Sequence, residues 1–382
     1  MRVFFYAIVV QLILNGYVFW WFWRALSNQK ILRIIMSAIF GAELIIYLSG
    51  FFLLEYFPPE LRRIIVLIGT SWMVFILYTI VLLLLYDVIR YINHKIRRFL
   101  PERFNLNSLK VRSMYFFISL ILVISMMAYG NYRFKNPVIT EVNLIVPKKS
   151  PDMPHLKAVL VSDMHVGLLI NKDMLRMYVD KIMEQKPHII LMVGDIIDFD
   201  LASVKEQNME SEFRRLSARY GVYMSTGNHE YIKLEDEVDE EKISWLSHVA
   251  GLSVLRDSVV MINDSFYLVG REDDKKRGRK SLEEIINGID RKYPVIVMNH
   301  EPHRLSEESD AGVDIALYGH THNGQLFPYP LMLKAIYEVV YGYKKKDDTH
   351  IYVSSGLGLA GPQYRIGTVS EIVVLNIDFA KD

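Results

Sequence analysis

The chain contains no cysteine among its 382 residues. Disulfides, thiolate metal sites and cysteine nucleophiles are therefore excluded, and any metal must be held by nitrogen and oxygen. The same absence is compatible with either side of a membrane. Acidic residues are scarce in the first 150 positions, which hold 17 Lys/Arg against 6 Asp/Glu. The remainder reverses the balance at 27 against 37, so a net charge of +1 conceals two parts of opposite sign. A distal part this acidic is a poor partner for a phosphate backbone, and no nucleic-acid binding is expected. Internal repeats are absent, and the one biased stretch, the acidic patch at 235–241, reads as a solvated helix face.

Apolar residues, by contrast, are abundant, at 51% of the chain. Four runs, at 3–23, 34–54, 64–86 and 114–129, approach or exceed the ~17–25 residues that cross a bilayer. Residues 1–130 are thus expected to form an α-helical transmembrane domain of about four helices. Only Arg2 precedes the first run and no small-residue cleavage site follows it, which argues against a signal peptide. Trp20, Trp21 and Trp23 close that run as an interfacial belt would. Ten Lys/Arg lie between runs one and two or three and four, against five on the opposite side. That bias makes the chain a multi-pass plasma or inner membrane protein with its C-terminal part extracytoplasmic. Glu43 falls inside the second run. An intramembrane carboxylate is a functional candidate by default, and the alternative is a contact with Gln11 or Asn15 of the first helix.

After Gly130 the pattern changes. Residues 131–155 read as a linker with an edge strand at 138–146, set between Asn136-Pro137 and the proline-rich 147–154. From 156 to 382, short apolar runs alternate with polar, helix-patterned segments. The runs are 158–161, 189–193, 222–225, 266–269, 295–298, 315–318, 351–353 and 372–375, and 172–185 carries helical spacing. This is the pattern of a layered α/β domain.

The run 189–193 is apolar throughout, as a strand buried on both faces would be. Gly194 ends it and Asp195 follows at the carboxyl end, where open α/β sheets place their ligands. A carboxylate there is costly unless positive charge meets it. Four more runs end alike: the first in Asp163-Met164-His165, the third in Gly227-Asn228-His229-Glu230, and two others in Asn299-His300 and Gly319-His320-Thr321-His322. A lone His after a strand is ordinarily a surface residue, and Asn or Asp there caps a turn. Five strand ends in one sheet system converge on one rim, which favours a shared site. Asp163, His165, Asp195, Asn228, His300, His320 and His322 are too many for one tetrahedral ion. They suit two divalent ions, Mn, Fe, Zn or Mg, sharing a carboxylate, the arrangement used for displacement at phosphorus.

The ordered set DxH, GDxxD, GNHE, a strand-end His and GHTH resembles the calcineurin-like metallophosphoesterases. Asn323-Gly324-Gln325-Leu326-Phe327-Pro328, Ser355-Gly356-Leu357-Gly358 and Arg365 resemble a narrower branch that includes membrane-associated bacterial phosphodiesterases, some acting on UDP-diacylglucosamine or other lipid-linked phosphoesters. The likeness covers roughly 136–378 and leaves out the transmembrane unit. Asn323 stands where that branch often has Gly. The resemblance implies a layered α-β-β-α domain in which Asp163, His165 and His322 bind one ion, Asn228, His300 and His320 the other, and Asp195 bridges them. It implies attack on phosphorus by a hydroxide between the ions, with catalytic His229 stabilising the transition state or protonating the leaving oxygen. Asp198, Glu230 and Arg365 are candidates for supporting the ligands or touching substrate.

The expected function is a membrane-anchored phosphodiesterase acting on a phosphoester, one candidate being lipid-linked. Its expected partners are the bilayer and that substrate. The alternative is a transport or sensory membrane protein regulated by its phosphoesterase domain. A catalytically dead binding module is disfavoured because every ligand position is filled. The apolar stretch 327–343 reads either as a core helix or as a flap touching membrane. The basic run Lys275-Lys276-Arg277-Gly278-Arg279-Lys280 reads either as a solvated loop or as a phosphate contact.

Overall fold

The structure is a computed structural model and describes residues 2–96, 99–101, 105–150, 152–232 and 240–380, with side chains from residue 8 onward except at 51. Most of the acidic patch at 235–241 lies outside these residues, as do Arg97, Arg98 and Arg103. The chain divides into two compact units, Met1–Gly130 and Asn131–Asp382.

The first unit is helical: α1 (Arg2–Ala25), α2 (Lys30–Phe52), α3 (Pro59–Tyr91) and α4 (Leu109–Lys135). Three helical stretches among the described residues, Lys30–Gly50, Pro59–Ile96 and Leu109–Lys135, are long and apolar enough to cross a membrane. Val18, Trp21, Phe22, Ile76, Leu83, Tyr86 and Phe116 form the unit's interior. Exposed side chains such as Ile35, Ile39, Leu77, Val81 and Leu84 remain apolar, which suits a lipid solvent better than water. The tryptophan belt is only partly as expected. Trp20 and Trp23 face outward beneath the guanidinium groups of Arg24 and Arg33, whereas Trp21 is buried edge-on against Tyr86. Glu43 is buried with its Oε1 unpartnered, beside a cavity of about 330 Å³ that it lines with Gln11, Asn15 and Ser37. That oxygen hydrogen-bonds to neither Gln11 nor Asn15.

The second unit contains two six-stranded sheets. One has the order β1 (Val138–Lys149), β12 (Glu371–Ala380), β2 (His155–Val161), β3 (Ile189–Val193), β4 (Val222–Ser225), β5 (Ser253–Leu255). The other runs β10 (Gly342–Lys346), β11 (Thr349–Val353), β9 (Ile315–Tyr318), β8 (Val295–Met298), β7 (Phe266–Gly270), β6 (Ser258–Ile262). Strands β2 to β5 are mutually parallel, as are β7, β8, β9 and β11, so each sheet has a block of carboxyl ends along one edge.

Alternation along β3 explains why its run is wholly apolar. Ile189, Leu191 and Val193 enter the core between the sheets with Leu160, Leu268, Ile296 and Leu317. Ile190 and Met192 point the other way, onto Leu175, Tyr178 and Val179 of α5 (Lys172–Glu184). A third cluster covers the far face of the second sheet, giving an α-β-β-α layering. Eight of the twelve strands coincide with the expected apolar runs and β1 with the expected edge strand. The other three lie at sheet margins outside those runs: β5 and β10 are short or half-buried, whereas β6 carries an apolar run of its own, Val259-Val260-Met261-Ile262. The stretch 327–343 is not a core helix: its helix spans only Tyr329–Leu333, and Leu331, Met332 and Ile336 are more than half exposed.

Leu191→Ala should destabilise the unit by about 2–5 kcal/mol, because the core there is closed on both sides. Thermal unfolding of the full chain in detergent should show the midpoint lowered by roughly 5–15 °C.

Candidate metal centre

The loops after β2, β3, β4, β8 and β9 bring together all seven residues expected to act as ligands. Asp163, His165 and His322 offer atoms within 4.8 Å of one another, as do Asp195, His300 and His320. Asp195 Oδ2 lies 3.1 Å from His300 Nε2 and 3.7 Å from His165 Nε2, between the two groups. The Nε2 atoms of His165 and His322 face each other at 3.1 Å. Asn228 Oδ1 sits 2.9 Å from His320 Nδ1.

Tight backbone geometry makes this crowding possible. Asp163, His165, Asp195, His320 and His322 all have φ between 47° and 69°, a left-handed region in which Asp, Asn and His are the tolerated non-glycine residues. Five such residues in one cluster constitute the localised strain that characterises functional sites. Asn323 adopts the same conformation, which accounts for Asn standing where Gly is also at home. At Gly227 a Cβ would overlap Asp195 Oδ1 and the Asp195 backbone nitrogen. At Gly194, φ is 69° and a Cβ would overlap the His300 ring.

Supporting contacts set which imidazole nitrogen faces the centre. His300 Nδ1 donates to the Val193 carbonyl at 2.9 Å, so its buried Nε2 is the nitrogen that faces the centre. Asp198 Oδ1 lies 3.3 Å from His165 Nδ1 and 3.2 Å from His229 Nδ1, orienting both rings. Burial opposes ionisation of Asp198, but the bonds from His165 and His229 outweigh it and hold its carboxyl below the usual range. Burial likewise opposes charge on Asp195 and His300. Their mutual attraction prevails, with Asp195 well below and His300 well above its ordinary value.

Among the described residues, the ion-pair partners of Asp163 and Asp195 within 4 Å are all imidazoles. Two buried carboxylates, orphan imidazole nitrogens and no thiolate make a donor set that fits divalent cations. His229 also reaches within ligand distance, in a group with His165 and Asp195.

Glu230 secures the frame. Its Oε2 accepts from the backbone N–H of Asp195 at 2.9 Å and of Gly227 at 2.8 Å, and its Oε1 from Ile196 and Ile197 at 2.8 and 3.2 Å. Arg365 supports in a different way and does not reach the centre's open face. Fully buried, it donates to the carbonyls of His322, Gly356 and Gly358, and burial lowers its pKa to about 10.

Asp273 was not singled out from the sequence. It is 1% exposed, its Oδ2 lacks a partner, and burial raises its pKa against the pull of His300. The available signal was the same strand-end rule, since β7 is followed by Arg271-Glu272-Asp273. Glu301, His303 and Tyr337 were also missed. Glu301 Oε1 lies 3.9 Å from His320 Nδ1, and Tyr337 stacks on His303 with ring centres 5.0 Å apart.

Glu230→Gln presents an NH2 group to backbone donors that need an acceptor. Elemental analysis after dialysis should show metal affinity reduced by about 10–100-fold. Full metal retention would contradict the framing role.

Residues 156–324 match the family model described as calcineurin-like phosphoesterase. A metallophosphoesterase of Campylobacter jejuni is 29% identical over 277 residues, covering 69% of each chain. A transmembrane protein with metallophosphoesterase domain from Danio rerio is 28% identical over 67% of this chain, which spans 61% of that relative's length. A metallophosphoesterase of Aquifex aeolicus is 30% identical, and the alignment covers 61% of this chain and 89% of the relative. The family model falls on the unit that carries the ligand cluster, and the chain belongs to the calcineurin-like phosphoesterases, a family of metal-dependent phosphoester hydrolases.

Proposed function

We propose that the chain is a membrane-anchored phosphodiesterase that hydrolyses a lipid-linked phosphoester on the extracytoplasmic side, using two divalent ions. The observation that carries this reading is the position of Asp195 Oδ2 between His165 Nε2 and His300 Nε2. Ions held by Asp163, His165 and His322 and by Asn228, His300 and His320, with Asp195 shared, would supply Lewis acidity for activating water and stabilising charge on the phosphoryl oxygens. The chain's own residues do the rest. Asp198 faces His229 Nδ1, which leaves Nε2 as the nitrogen that gives a proton to the departing oxygen. Phe199 packs edge-on against the His229 ring at 5.1 Å and limits its rotation.

Support for a lipid-linked substrate comes from the segment after His322. Phe327, Tyr329, Leu331, Met332 and Ile336 are each about half exposed or more. Tyr337, in the same segment, lies 6.2 Å from the His320 ring, so the apolar surface reaches the ligand cluster. A sensory or transport role for the helical unit rests on the buried, unpartnered Glu43 oxygen beside its cavity. Undiminished turnover of lipid-linked substrate by full-length Glu43→Gln would remove it.

Chelator-stripped full-length protein in detergent should hydrolyse a bis-aryl phosphodiester only after a divalent metal is restored, and Asp195→Asn should abolish that turnover. Equal turnover by the variant would sink the assignment. His229→Ala should keep its metal and lose about 10²–10⁴-fold in rate. Loss of metal would instead make His229 a ligand, the role its proximity to His165 and Asp195 also permits. The pair Met332→Glu/Ile336→Glu should slow hydrolysis of a phospholipid in mixed micelles more than tenfold relative to the soluble diester. Equal loss on both substrates would argue against the lipid contact.

A further inference from the structure

Beside the ligand cluster lies a second concavity of about 570 Å³, lined by five Lys/Arg side chains and three carboxylates. Its wall continues into the centre. Asn299 and Glu301 flank His300 in sequence, and Arg279 Nη2 donates to Asn299 Oδ1 at 2.8 Å. Glu301 bridges outward, with Oε2 2.7 Å from His303 Nε2.

The basic run that forms one side is not a free loop. Lys275 N donates to Asp273 Oδ1 at 2.9 Å, Lys276 N to the Asp273 carbonyl at 3.0 Å, and Lys280 N to Asp257 Oδ2 at 2.8 Å. Both ends are thereby tied to buried acids beside the sheet, and Lys276, Arg279 and Lys280 line the pocket, whereas Lys275 and Arg277 are exposed outside it.

The carboxylates of the pocket are already engaged. Glu307 accepts from Arg271 Nη1 and from the Leu282 backbone, Asp274 pairs with Arg279, and Glu301 pairs with His303. On the cationic side, Lys276 is held by Glu240. The side-chain ends of Lys280 and Arg304 have no protein acceptor among the described residues, and both are exposed to the pocket. The Nε of Arg271, a residue only 2% exposed, and the Nε of Arg279 are buried donors without a hydrogen-bond partner. Unspent positive charge together with orphan donors, next to a phosphoester centre, calls for an anion.

We propose that this pocket is a subsite for a second, non-scissile phosphate group on the substrate, gripped by Lys280 and Arg304 with Arg279 behind them. The proposal rests on the phosphoesterase reading above and deepens it: the preferred substrate carries a phosphate monoester besides the bond that is cut. That group belongs either to a lipid headgroup or to a soluble phosphoester.

The test uses full-length protein in detergent, stripped of metal so that the ligand cluster does not itself retain phosphate. Equilibrium dialysis with labelled inorganic phosphate should show one bound equivalent, and Lys280→Ala/Arg304→Ala should weaken it about tenfold or more. Equal binding by both proteins, or none by the wild type at millimolar phosphate, overturns the subsite. With metal restored, KM for an aryl phosphodiester bearing an extra phosphate monoester should rise about tenfold more in the variant than KM for the simple diester, with kcat following neither change. Parallel losses on both substrates would also overturn it. Displacement of the label by phosphatidic acid micelles at lower concentration than by glycerol 3-phosphate supports a lipid headgroup, and the reverse order a soluble ester. Should the wild type lack metal-dependent turnover altogether, the phosphoesterase reading fails and the dialysis result alone decides the subsite.

Discussion

One buried carboxylate holds the catalytic rim together. Glu230 collects four backbone N–H groups, two from the turn after β3, one from Asp195 itself and one from Gly227 after β4. Those donors have no strand partner, because the chain has just left the sheet, and leaving them unpaired would cost on the order of 1–3 kcal/mol each. Satisfying them with one side chain ties the ends of two neighbouring strands into a single rigid turn pair. Asp195 and Asn228 are thereby set relative to each other before any ion is considered. The tie also brings the Asp195 carboxylate under the His229 backbone N–H, which donates to its Oδ1 at 2.8 Å.

Around that frame, burial and charge are balanced so that a cation resolves the conflict. Asp163 and Asp195 are buried among imidazoles, and His165 and His300 each have one nitrogen committed to an acceptor on the outer side. These outward contacts leave the other ring nitrogens and the two carboxylates facing in. The left-handed backbone at five of the seven positions is tolerable because Asp and His accept it and because β2, β3 and β9 anchor the start of each turn.

Much of this was legible from residue order. Strands buried on both faces stand out as unbroken apolar runs, and a polar residue directly after each is conspicuous where Gly194, Gly227 and Gly319 mark the exits. Marginal strands β5 and β10 leave little such trace, being three residues long and lysine-rich respectively, whereas β6 does carry the run Val259-Val260-Met261-Ile262. Asp273 was hidden by two residues of offset between the end of β7 and the acid. The segment from 327 to 343 reads from sequence either as a core helix or as a flap, because composition cannot tell an apolar residue facing the core from one left outside, and its exposed side chains exclude the core helix. Arg365 shows a related limit. Its sequence position beside a Gly-rich motif fitted substrate contact equally well, and only its burial against three carbonyls shows it to be a brace.

The ligand cluster is not the property of either sheet. Asp163, His165, Asp195 and Asn228 follow strands of the first sheet, whereas His300, His320 and His322 follow strands of the second. Each set of three ligands named for one ion therefore draws from both, and an ion in either place would act as a rivet across the seam. The apolar core of Leu160, Leu191, Leu268 and Leu317 fixes the spacing of that seam from below. Spacing between the ligand groups is then a mechanical property of the hydrophobic interior, transmitted along the strands. Ion binding and sheet packing become two faces of one equilibrium, in which each stabilises the other.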